Sequence, residues 1–106
     1  MVVYISGAIT GTKDYLERFC NVEQRLIDAG FEDVINPAQV MKYLPNSTSH
    51  ETYMEISLAF LKTADLMVLM DGWEKSEGCR QEYEYADEKG ILILEYHKIK
   101  EIKLDG

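Results

Sequence analysis

The segment DGWEKSEGCRQEYEYADEKG, Asp71 to Gly90, starts as a turn holding an acid, an aromatic ring, a serine and a glycine, then continues as a glutamate- and tyrosine-rich helix. A carboxylate in such a setting can act as a nucleophile or a proton carrier if it is sheltered from water. With the helix starting at Ser76 or Gly78 and stopping at Gly90, Cys79, Glu82, Tyr83 and Ala86 share one stripe, at offsets of three, four and seven. Glu82 is the one acid in that core-facing stripe, in the first turn. Glu84, Asp87 and Glu88 share the opposite face and read as solvated charge, while Glu74 and Glu77 favour a helix N-terminus. Two readings of Glu82 stay open: a functional carboxylate in a cleft, or an edge residue turned to water or to an arginine.

Tyr4 is the second candidate. It stands inside the apolar run VVYIS, Val2–Ser6, where its hydroxyl needs a partner. That partner is either Glu82, which Tyr4 would then orient, or a backbone carbonyl. Ser76 and Gly78 suit a phosphate cradle and equally suit an ordinary N-cap. Trp73 can stack on a base or cover the edge of a crevice. The loop SGAITG follows the first run, and its glycines, Gly7 and Gly11, do not fit a dinucleotide fingerprint. Gly7 and Ile9 of that loop are candidates for substrate contact.

The elements that must position these residues alternate. A buried strand Val2–Ser6 leads to a helix from Thr12 or Lys13 to Ala29, with Leu16, Phe19, Cys20, Leu26 and Ile27 on its apolar stripe, Glu23 interrupting it and Gly30 stopping it. A short strand Asp33–Ile35 closes at Asn36-Pro37, and 38–47 reads as loop with at most a helical turn near Val40–Tyr43. The capping-box pattern Thr48–Glu51 opens a helix to about Thr63, with Tyr53, Ile56, Phe60 and Ala59 on its buried side. Strands Asp65–Met70 and Ile91–Glu95 flank the segment of the opening paragraph, and an edge strand or a loose tail ends the chain. This order predicts an α/β fold: a three-layer, doubly wound parallel sheet of four to five strands, Rossmann- or flavodoxin-like. Ligands of such sheets lie beyond the carboxyl ends of the strands. The loops 6–11 and 71–78 qualify, and they meet if the first and third strands are neighbours. Asp71 then stands at the strand end.

At 106 residues, 46% hydrophobic and 28% charged, the chain has the make-up of one globular domain, residues 1–106. A net charge of −8 excludes long-range attraction to duplex nucleic acid or to an anionic membrane, but leaves room for a small anion held by local amides. No apolar run is long enough to cross a bilayer, so a cytoplasmic location is expected by default. Cys20 and Cys79 fit no metal spacing and are expected in the core; His50 and His97 stand apart from any ligand cluster, so no metal is expected.

The segments VYISGAITG, VINPA and ADLMVLMDGWEKSEGCRQEYEYA together resemble the nucleoside 2-deoxyribosyltransferase superfamily, and more narrowly its small DUF4406-like branch. The resemblance runs nearly end to end and is most specific in the last segment. In the superfamily's deoxynucleoside 5′-monophosphate N-glycosidases the corresponding helix starts Ser-x-Gly-x-Gly-x-Glu; Ser76, Gly78 and Glu82 match it, with Arg80 at the middle glycine. The resemblance implies Glu82 as nucleophile, Tyr4 as the residue that holds it, Ser76 and Gly78 at a 5′-phosphate or 5′-hydroxyl, and Gly7 as the glycine that admits the substrate. It implies cleavage or exchange of the N-glycosidic bond of a small-molecule deoxynucleoside or its 5′-monophosphate through a glycosyl-enzyme intermediate, in a homo-oligomer and without any cofactor. Two places depart from the pattern. Ser57 stands where the superfamily has an aspartate that protonates the leaving base, with Glu55 and Asp71 as substitutes. Ala8 and Thr10 replace a phosphate-binding serine and arginine. The alternative is a nucleotide-binding or sensing module of the same fold, without turnover.

Overall fold

The computed structural model describes residues 1–9 and 13–101, and side chains as far as residue 99. Its elements are β1 (Val2–Ser6), α1 (Tyr15–Asp28), β2 (Asp33–Ile35), α2 (Pro37–Met41), α3 (His50–Leu61), β3 (Leu66–Leu69), a 3-10 turn (Trp73–Lys75), α4 (Glu77–Lys89), β4 (Leu92–Glu95) and α5 (Tyr96–Glu101). The four strands form one parallel sheet in the order β2-β1-β3-β4.

That order follows from the apolar runs. β1 and β3 are central and almost wholly buried, as Val- and Ile-rich strands covered on both faces must be. Because strand side chains alternate, Val3 and Ile5 pack with Phe19, Val22 and Leu26 of α1 and with Tyr96 and Ile99 of α5. Tyr4, with Met67 and Leu69 of β3, packs on the opposite side with Leu61 of α3 and Ala86 of α4. Helices therefore cover both faces, and the three-layer Rossmann-like expectation holds with four strands. The acid before β3, Asp65, is structural: its carboxylate accepts from the Val2 amide at 2.8 Å, and its own amide donates to the Val2 carbonyl at 2.8 Å.

Several local expectations are corrected. Asn36-Pro37 ends β2 but also starts α2: the Asn36 side chain accepts from the Ala38 amide, and proline is pre-set for the first helical position. Ser49, not Thr48, caps α3, accepting from the Thr52 amide at 3.1 Å. The deepest line on α3 runs through Ser57 and Leu61, one residue beyond Ile56 and Phe60, and Ala59 is exposed. A helix apolar on most sides gives periodicity little purchase on which side faces in. On α1, Val22 is buried and Ile27 exposed; Glu23, the interruption, accepts from Asn36 Nδ2 at 3.0 Å and so ties α1 to the cap of α2. Cys79 is in the core as expected, whereas Cys20 is only half-buried and accepts from Gln39 Nε2. The C-terminal segment is a helix, not an edge strand: among its described side chains Tyr96 and Ile99, three apart, are the buried ones. Residues 102–106, part of the expected strand or tail, and Thr10, Gly11 and Thr12 lie outside the described residues. Among the described residues no helix is long and apolar enough to cross a membrane.

Candidate active site

From β1 the chain turns through α1 to β2 on one side, then returns through α3 to β3 on the other. The strand order reverses between β1 and β3, and a crevice opens beyond their paired ends, Ser6 and Leu69. A cavity of about 530 Å³ occupies it. One wall is the α3 face bearing His50, Tyr53, Met54 and Ser57, spaced by three, four and seven; another is the start of α4, with Ser76, Gly78, Cys79 and Glu82. Gly7, Ala8 and Ile9 after β1, with Tyr15 and Met41, complete it.

Glu82 is 5% exposed, one turn into α4, with its carboxylate over the end of β1. Tyr4 and Ser6 are two apart on β1 and so point to the same side. The Tyr4 hydroxyl donates to Glu82 Oε2, and the Ser6 hydroxyl donates to Oε1 at 2.7 Å. Each carboxylate oxygen thus receives one buried hydroxyl. Burial pushes the Glu82 carboxyl up to about 7, against the opposing pull of the two hydroxyl donors. Burial, and then the Glu82 charge, holds the Tyr4 phenol well above its ordinary value, so it remains a donor. Ser57, buried on α3, pulls the Tyr4 phenol the other way without reversing that direction. Cys79, whose thiol is pushed up by burial, stands beside Ser6 and Ser76.

Among the candidates from sequence, the structure brings Tyr4, Gly7, Ile9, Ser76, Gly78 and Glu82 to one cavity. It does not bring Asp71 or Trp73 there. Asp71 is exposed, with Oδ1 3.7 Å from His97 Nδ1. Gly72, at φ 84, starts the 3-10 turn directly after it. Trp73 stacks on Tyr83 at 5.0 Å and donates to Glu95 Oε1 at 3.3 Å, facing β4 rather than the crevice. Tyr83 accordingly leaves the buried stripe expected of it. Along α4 the buried line runs through Cys79, Glu82 and Ala86, and Tyr83 is rotated to its edge. Glu55, the other substitute acid, is exposed and does not line the cavity.

The two glycines differ in what they leave room for. A Cβ on Gly7 would stand 2.5 Å from the Met70 sulfur and 3.0 Å from the Phe19 ring, so core packing by itself demands glycine there. A Cβ on Gly78 would meet the Met54 sulfur at 3.3 Å and His50 at 3.9 Å, across the cavity mouth. Ser76 caps α4 through the Cys79 amide at 3.3 Å, so its ordinary role is filled while it also lines the cavity.

Sequence reasoning missed Ser6, although its place two residues after Tyr4 put it on the same strand face. It also missed His50, Tyr53 and Met54, whose signal was a shared α3 face with Ser57 once that face was known to look inward. Lys75, in the turn, carries no pattern that would have marked it.

The arrangement offers a sheltered, oriented carboxylate that changes charge near neutrality. It sits in a pocket of small-molecule size with aromatic and thioether walls, with the side chains of His50 and Lys75 also lining it. No curated protein matches the chain. A family model described as a domain of unknown function, DUF4406, matches residues 1–95. The match takes in β1 through β4 and every residue on the cavity wall, and the chain therefore belongs to the DUF4406 family.

Proposed function

We propose that this protein cleaves or exchanges the N-glycosidic bond of a deoxynucleoside or deoxynucleoside 5′-monophosphate, with Glu82 as nucleophile. The observation that carries this reading is the Glu82 carboxylate, buried against the cavity with one hydroxyl on each oxygen. It agrees with the resemblance of this branch to the nucleoside 2-deoxyribosyltransferase superfamily.

A carboxylate oxygen attacks the anomeric carbon while the base leaves with the electrons of the C–N bond and takes a proton from solvent water. The resulting glycosyl ester is opened by water, or by a second base in exchange. Tyr4 keeps the carboxylate aimed; the cavity wall keeps bulk water from it; Ser76 and Gly78, with Lys75 and His50 nearby, are the polar end suited to a 5′-hydroxyl or 5′-phosphate. Neither a metal nor an organic cofactor enters these steps.

A panel of deoxynucleosides and their 5′-monophosphates, followed by chromatography for free base, tests the reading. Wild type releases base and Glu82→Gln does not. No release from any member of the panel, or equal release by the variant, overturns it.

A second reading is favoured by Ser57. It is buried on the cavity wall beside Tyr4, and neither substitute acid, Glu55 nor Asp71, lines the cavity. A missing general acid costs roughly 10²–10⁴-fold in rate. On this reading the protein binds a nucleotide without turnover, and calorimetry finds tight binding with no base released.

A further inference from the structure

We infer that Ser6 is a positioning residue for Glu82: its hydroxyl donates to the ionised carboxyl, turns to accept from the protonated one, and keeps the attacking oxygen in one place through both states. The inference rests on the proposed role of Glu82 as nucleophile.

Ser6 is the last residue of β1 and wholly buried, with Oγ 2.7 Å from Glu82 Oε1. An ionised carboxyl only accepts hydrogen bonds, whereas a protonated one must also place an O–H. In a dry site each state needs its own partner, since an unmet buried polar group costs as much as a lost hydrogen bond or more. Alanine offers neither a donor nor an acceptor; serine offers both by rotating one bond. Tyr4 serves Oε2 and Ser6 serves Oε1, with the Cys79 thiol beside Ser6. Among the described residues no buried side-chain nitrogen or oxygen lacks a partner, so the charged state is fully met as it stands.

Tyr4 serves the other oxygen, Oε2, and leaves Oε1 to Ser6. The groups hydrogen-bonded to Glu82 are Tyr4 and Ser6 from β1; next to these stand Ser57 of α3, beside Tyr4, and the Cys79 thiol of its own helix, beside Ser6. The further titratable groups on the wall are Tyr15 of α1, His50 and Tyr53 of α3, Lys75 of the turn and Glu77 of α4. None of this second set is hydrogen-bonded to Glu82, so the two β1 hydroxyls dominate its local field.

Carboxyl carbon NMR titration of the full chain reads the Glu82 midpoint directly, with Glu82→Gln assigning the signal. In Ser6→Ala the midpoint moves up, by up to about one unit, because the bond lost from the charged carboxyl is stronger than the one lost from the protonated carboxyl. Ser6→Cys, close in size and with a weaker donor, falls between the two. In base-release assays the rising limb of kcat/KM moves with the midpoint, so that Ser6→Ala loses up to about tenfold at acid pH and retains part of that loss at alkaline pH, in kcat and not in KM, because the ionised carboxylate is held less firmly. An unmoved midpoint in folded Ser6→Ala overturns the inference, as does an equal shift in Ser6→Cys and Ser6→Ala. Should wild type release no base at any pH, the proposed reaction fails, and the NMR midpoint still decides whether Ser6 holds Glu82.

Discussion

Two carboxylates stand at the same end of the sheet, and each accepts a hydrogen bond from an aromatic side chain. Glu82 receives the Tyr4 hydroxyl in the crevice between β1 and α4; Glu95, at the end of β4, receives the Trp73 indole N–H at 3.3 Å. Their acidities move in opposite directions. Glu82 is pushed up to about 7 by burial, against the hydroxyls that pull it down. Glu95, about one-third exposed, is held below its ordinary value by the Trp73 bond first, with Lys98 and His97 adding to it. The donor is similar in the two places and the access of water is not. A hydrogen bond lowers a carboxyl that water already solvates, and only tempers one that burial has made reluctant to ionise. The crevice therefore keeps a group ready to change charge near neutrality, while the patch around β4 ties a permanently charged acid to its surroundings.

The sharpest way to break this contrast is to neutralise each acid in turn. Glu82→Gln keeps the shape and removes the proposed nucleophile, and on that proposal base release falls by roughly 10⁴-fold or more. Glu95→Gln leaves turnover near wild type. Equal losses from both variants, measured as kcat/KM on one deoxynucleotide, would mean that the patch belongs to the site.

The pH dependence of stability separates them next. Between the ordinary glutamate value of 4.5 and the raised value of about 7, the folded protein holds the Glu82 proton more tightly than the unfolded chain does. Stability contributed by this group is thus full below about 4.5 and falls as pH rises to about 7, by roughly 3 kcal/mol in all. Glu95 has the reverse sign: its contribution is present at neutral pH and is lost as pH falls. Urea unfolding from pH 4 to 8 should show a decline in wild type that is absent in Glu82→Gln and retained in Glu95→Gln.

Much of the crevice was legible in residue order, and the patch was not. The alternation of apolar runs with helical stripes is a long-range pattern and survives local noise, so the parallel sheet and Glu82 on the core-facing stripe could be read, whereas the pairing of β1 with β3 stood only as a condition until the strand order was known. Tyr4 stood out because a phenol in an all-apolar strand needs a partner. What failed was finer than one helical turn or depended on packing. Tyr83 shared a stripe with Cys79 at an offset of four, but the sheet meets α4 along the narrower line through Cys79, Glu82 and Ala86. Asp71 was chosen because it follows a strand, yet the chain turns at Gly72 and leaves its carboxylate beside His97. Tyr96 and Ile99 gave too short a stripe to outweigh the alternation of the residues after them.

A third comparison sets two glycines of the crevice against each other. Gly7→Ala forces a Cβ to within 2.5 Å of the Met70 sulfur under the floor of the site, and overpacking of this kind costs about 1–3 kcal/mol. Gly78→Ala asks the Met54 sulfur at 3.3 Å to give by a few tenths of an ångström, so its stability stays within about 0.5 kcal/mol of wild type. The added methyl nevertheless stands at the cavity wall and, if the proposed ligand binds there, weakens its binding. Thermal melts with and without deoxynucleotide resolve the two: Gly7→Ala lowers the baseline Tm, and Gly78→Ala reduces the ligand-induced rise. A Gly78→Ala variant that is stabilised by nucleotide as fully as wild type would place the ligand away from this wall.

The smallest effect tests the boundary between the regions. Trp73 was a candidate for stacking on the substrate base, but its ring is engaged with Tyr83 and its N–H with Glu95. Trp73→Phe keeps a ring on Tyr83 and removes the donor, so Glu95 returns toward the ordinary glutamate value. The stability lost is then greatest at neutral pH and vanishes toward acid, because the bond favours only the ionised carboxyl. Turnover and KM should not change, since no lining residue of the cavity is altered. A KM raised about tenfold in this variant would show that the indole reaches the bound nucleotide. In that case the ring leaves Tyr83 when ligand arrives, and crevice and patch are one site in two parts.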